Sequence, residues 1–66
     1  MPDRWPVVIT DDMGESIRVL PSVEPGKVYI STSPLGVSLD GARLEEFAQA
    51  QVAASHEADR RVTPDA

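Results

Sequence analysis

Alternating apolar and polar residues dominate the chain up to Leu39, and a helical period takes over after Asp40. The stretch Trp5-Pro6-Val7-Val8-Ile9-Thr10 is rich in β-branched residues and predicts a strand with Trp5, Val7 and Ile9 on one face. Pro6 has no amide proton for a ladder, so this strand begins there or lies at a sheet edge. Ser16-Ile17-Arg18-Val19-Leu20 alternates again, with Ile17 and Val19 on one face and Pro21 as its stop. Val28-Tyr29-Ile30-Ser31-Thr32-Ser33 predicts a third strand with Val28 and Ile30 inward, and Val37-Ser38-Leu39 offers a short fourth.

The connections carry recognisable turn chemistry. Asp11-Asp12-Met13-Gly14 has Asp at the first turn position and Gly at the fourth, and Glu24-Pro25-Gly26-Lys27 fits a type II turn. Ser33-Pro34-Leu35-Gly36 is a further turn signal. Connections this short predict an antiparallel meander of three to four strands.

Asp40 is a favoured N-cap and its carboxylate suits the positive end of a helix. From Ala42 the chain is rich in Ala, Glu, Gln and Leu, which predicts a helix from Asp40 to about residue 58. Leu44, Phe47, Ala48, Val52 and Ala54 share its apolar arc. The expected fold is therefore α+β: a small meander followed by one C-terminal amphipathic helix packed on one sheet face. A single domain over 1–59 and a flexible tail over 60–66 complete the expectation.

Composition then limits what such a domain does. The chain has 66 residues and no cysteine, so neither a disulfide framework nor a thiolate metal site supports its core. Domains this small commonly recruit a metal or a partner chain, and self-association is the expected supplement. Two places suggest where. Opposite the helix-facing side of the sheet, Val8, Leu20 and Tyr29 form a mixed surface with Ser31 and Ser33. On the helix, Gln51 and Ser55 interrupt the apolar arc. Either they reach water where the helix runs off the sheet, or they cross to a partner helix beside the small Ala48 and Ala54.

Candidate chemistry is sparse. His56 is the only histidine and falls on the polar side of the helix near its expected end. The serines and threonines of 31–33 have no neighbouring base. Asp11, Asp12 and Glu15 lack the spacing of a calcium loop, and Glu45 and Glu46 point about 100° apart on a helix. No catalytic residue and no cofactor is expected. The 11 acidic residues against 6 basic ones, net -5, disfavour direct nucleic-acid binding. They suit a basic protein partner instead. The N-terminus lacks a signal-peptide pattern and no apolar run is long enough to cross a bilayer, so a cytoplasmic protein is expected.

The stretch Gly36-Val37-Ser38-Leu39-Asp40-Gly41-Ala42-Arg43-Leu44-Glu45-Glu46-Phe47-Ala48-Gln49-Ala50 resembles a class of short proteins from high-GC actinobacteria and their phages. In these a Gly-Val-x-Leu strand leads into a capped helix rich in Ala and Glu. Gln51 departs from the pattern, since an apolar residue is usual there. The resemblance covers roughly residues 28–60 and implies a strand–helix unit and a phage or mobile-element accessory role. Together these readings give a homodimeric protein–protein interaction protein as the expected function. The alternative is an acidic inhibitor occupying the basic site of a host nucleic-acid-binding protein.

Overall fold

In a computed structural model, which describes residues 4–62, three strands are followed by one helix: β1 (Val7–Thr10), β2 (Ser16–Pro21), β3 (Val28–Thr32) and α1 (Gly41–Val62). The sheet has the order β1-β2-β3, and both pairings are antiparallel. Val7 lies opposite Val19 and Ile9 opposite Ile17, while Val19 also faces Ile30. Opposed residues share a face, so these side chains and those of Pro21, Val28 and Thr32 form the side that receives the helix.

Local chemistry sets the turns. Asp11 N–H donates to the Glu15 carbonyl at 2.8 Å and Gly14 N–H to the Asp11 carbonyl at 3.2 Å. Gly14 has φ 85°, a conformation that a side chain would strain. At the second turn Lys27 N–H donates to the Glu24 carbonyl at 3.3 Å, and at the third Gly36 N–H donates to Ser33 at 2.9 Å. The fourth strand expected at Val37–Leu39 does not form. Ser38 N–H instead donates to Asp11 Oδ2 at 3.0 Å, so this run is tied to the β1–β2 turn and not to a sheet edge.

The helix begins where expected. The Asp40 carbonyl accepts from Arg43 N–H at 3.0 Å and from Leu44 N–H at 3.4 Å, so the first turn closes on Asp40, while Gly41 at φ 52° is left-handed and not yet helical. Its end differs: α1 continues through Val62, so the first three residues of the expected tail form its last turn. The remainder, 63–66, lies outside the described residues. Glu57 supports the extension by binding Arg60 and Arg61, at 2.6 and 2.8 Å, at i+3 and i+4. Both arginines also favour the negative end of the helix.

The buried face of α1 is also turned from expectation. Ala50, Ala54 and Ala58 are buried, with Phe47 partly so, whereas Leu44 is 51% and Val52 58% exposed. The expected arc ran about 160° around the helix from Ala54 to Val52, and the sheet covers only its Ala54–Phe47 end. Alanines at i, i+4 and i+8 let the helix axis come close to Val19, which is completely buried. Trp5, Val7, Val28 and Phe47 close around this seam.

Two bonds fix the direction of the helix. Arg43 Nη2 lies 3.2 Å from Asp12 Oδ1 at the β1–β2 turn, and Ser55 Oγ donates to the Gly26 carbonyl at 2.7 Å at the β2–β3 turn. The helix thus runs in the direction of β2. Ser55→Ala removes the second tie and is expected to cost about 1 kcal/mol, measured by urea unfolding, without altering the helical far-UV signal.

Candidate interaction site

Among the described residues, no element lies over the sheet face away from the helix. The register aligns Val8, Arg18 and Ser31 across the three strands, with Leu20 opposite Tyr29 alongside. Val8 is 46% and Tyr29 58% exposed, and Leu20 is half-buried. The structure therefore brings together the three residues that alternation placed on this face. It adds a fourth that sequence reasoning passed over: Arg18, exposed on the central strand.

The other five basic residues are engaged. Arg4 stacks over the Trp5 ring at 4.8 Å, Lys27 holds Glu24 at 2.8 Å, Arg43 holds Asp12, and Arg60 and Arg61 share Glu57. Among the described residues no carboxylate lies within ion-pair distance of Arg18. It borders a shallow depression of about 250 Å³ lined by Ser16, Ser31, Thr32 and Ser33.

A second surface lies at β3. This strand is a sheet edge with neither proline nor charge in its sequence Val-Tyr-Ile-Ser-Thr. Ser33 N–H donates to the Ser16 carbonyl and Ser22 N–H to Lys27, which sets the alternation of the ladder. It follows that the backbone groups of Val28, Ile30 and Thr32 point away from β2 into the open edge. The Ile30 side chain is on the helix side and still 40% exposed. Above it, the Ser55–Gly26 bond turns one flank of α1 toward β3. That flank carries Leu44, Ala48, Gln51 and Ser55 in the 4-3-4 spacing of a helix seam. Gln51 is half-buried, its Nε2 donating weakly to the Phe47 carbonyl at 3.4 Å. Gln51 and Ser55 are therefore on a different surface from Val8 and Leu20, and Tyr29 belongs to the strand that borders both.

The acidic turn has a structural role. Asp11 is buried; its Oδ1 accepts Met13 N–H at 2.8 Å and Glu15 N–H at 2.9 Å, and its Oδ2 accepts Ser38 N–H. These donors, Ser38 foremost, hold its carboxyl below the ordinary aspartate range. Hydrogen bonds from Arg60 and then Arg61 lower Glu57 in the same direction. Among the described residues no three His, Cys, Asp or Glu side chains are grouped to hold a metal ion. His56 is exposed, six residues before the end of α1 and so short of the last turn, where the helix dipole acts most strongly. No described helix is long and apolar enough to cross a membrane.

Known protein families, curated proteins and solved structures offer no match to this chain.

Proposed function

We propose that this chain is a small non-enzymatic protein–protein interaction protein that works as a homodimer joined through β3 and the adjoining flank of α1. The observation that carries the reading is the β3 edge: uncharged, free of proline, and lined by a partly exposed Ile30 beneath a helix flank that carries Leu44 and Ala48. Natural proteins usually blunt such an edge with lysine, proline or a bulge. The opposite edge, β1, is shorter and is preceded by Pro6.

Antiparallel pairing of two β3 strands about Ile30 is self-complementary, as a two-fold interface requires. Ile30 then exchanges both backbone bonds with its own copy, and Val28 pairs with Thr32. The two sheets join into one of six strands with both helices on the same side. The flanks bearing Leu44 and Gln51 face each other across the axis. Two-fold packing through the outer sheet face is less favourable. Arg18 is on the middle strand, so stacking two such faces sets one arginine against the other.

Sedimentation at micromolar concentration should show a dimer. Ile30→Lys, which puts a charge on the edge twice per assembly, should weaken it at least tenfold, whereas Val8→Lys and Glu57→Ala should leave it unchanged. A wild-type monomer at all concentrations would refute the reading. Dissociation by Val8→Lys but not by Ile30→Lys would move the interface to the outer sheet face.

A further inference from the structure

We infer that the outer sheet face is a docking surface for a second protein, one that presents a carboxylate flanked by apolar side chains to Arg18. The inference is independent of dimerisation, because β3 pairing leaves this face open in each copy.

Charge is the first support. The chain has nearly twice as many acidic as basic residues, yet Arg18 alone among its Lys and Arg side chains has neither an acidic nor an aromatic partner in the described structure. The register explains this isolation. Asp11, Asp12 and Glu15 are close in sequence, but the β1–β2 turn carries them to one end of the sheet. The residues set directly beside Arg18 are Val8 and Ser31. The complement of an unpaired guanidinium is an anion, and a carboxylate meets its planar fork with two parallel hydrogen bonds.

Composition is the second support and selects a protein as the source of that anion. Val8, Leu20 and Tyr29 surround Arg18 on a flat face, and Tyr and Arg are the residue types that dominate protein-interface energetics. A nucleic acid or an anionic membrane offers phosphates in number, whereas this face has one positive charge on a chain of net charge -5. The hydroxyls of Ser16 and Ser31 beside the arginine supply further donors for the same carboxylate.

The test uses the full-length protein as bait for a phage-displayed library of random dodecapeptides. Enriched peptides should share one Asp or Glu between apolar residues. The synthetic consensus should bind in fluorescence anisotropy and perturb the amide resonances of Val8, Arg18, Leu20 and Tyr29. Arg18→Glu should weaken that peptide at least tenfold, and replacing the peptide's acid with Lys should restore binding to this variant. Among the described residues the Arg18 side chain makes no hydrogen bond or ion pair, so its variants should melt like wild type. If Arg18→Glu fails to fold, Arg18→Gln carries the test with the same expected tenfold loss. An enriched set without acids, binding indifferent to Arg18, or resonance shifts confined to β3 and α1 would overturn the inference. So would displacement of the peptide by millimolar inorganic phosphate alone, which would mark a simple anion site.

Discussion

Ala54→Leu is expected to remove most of the protein's stability at 25 °C. Ala54 is completely buried in a seam with Val19 and Ala50, and it sets how closely α1 approaches the sheet. Ala54 is already packed against Val19 and Ala50, so three added carbons force the helix to lift from β2 and separate Val19 from Ala50 and Phe47. Overpacking typically costs about 1–3 kcal/mol, and a core of this size supplies only about 3–5 kcal/mol in all. The substitution therefore removes most of the margin. The control is Ala42→Leu, exposed in the first turn of α1 and outside the flank proposed to meet a second copy, which should not lower stability. Urea unfolding at one fixed protein concentration separates the two, since association itself adds to apparent stability. Equal losses from both substitutions would mean that the helix is rotated from the orientation described.

The contrast between the buried Ala54 and the exposed Ala48, both expected on one apolar arc, shows what a sequence conceals. Strand faces follow from a period of two, and the turns follow from Asp, Pro and Gly at fixed offsets, so Val19, Ile17 and Ile9 are recognisable core positions from the sequence. The helix was equally legible in its existence and its start. Its rotation was not, because hydropathy ranks Leu44 and Val52 above alanine, whereas close approach to a sheet selects the smallest side chain. The last turn was hidden for a related reason. Asp59, Arg60 and Arg61 add no apolar period, and the support for Arg60 and Arg61 comes from pairing with Glu57. The candidate surfaces divide in the same way. Val8, Leu20 and Tyr29 follow from alternation, but the isolation of Arg18 depends on register. The exposure of Ile30 depends on the helix lying over β2. Val37–Leu39 looks like a strand in isolation; only the long-range bond from Ser38 to Asp11 shows otherwise.

That bond makes Asp11 the polar residue on which the fold most depends. Its carboxylate organises the β1–β2 turn through Met13 and Glu15 and fastens the segment leading into α1 through Ser38. Asp11→Ala leaves these amides without an acceptor in a partly buried site, and the unfolding midpoint should fall by roughly 10 °C or more. Asp11→Asn is the more informative change. Its amide oxygen replaces Oδ1, but its NH2 group then meets Ser38 N–H, donor against donor, so stability should fall although the shape is kept. Acidity provides an independent readout. The folded protein holds this carboxyl below the ordinary aspartate value of about 3.9, so the unfolded chain takes up the proton first as pH falls. The stabilisation from Asp11 is therefore complete above that ordinary value and is lost as pH drops through the lower, folded one. Glu57 contributes with the same sign from a more exposed position, held by two arginines rather than by backbone. Thermal melts between pH 5 and pH 2 should thus fall steeply for the wild type and more shallowly for Asp11→Asn. Parallel curves would show that the three amide bonds do not favour the charged form, and that Asp11 holds the turn by shape alone.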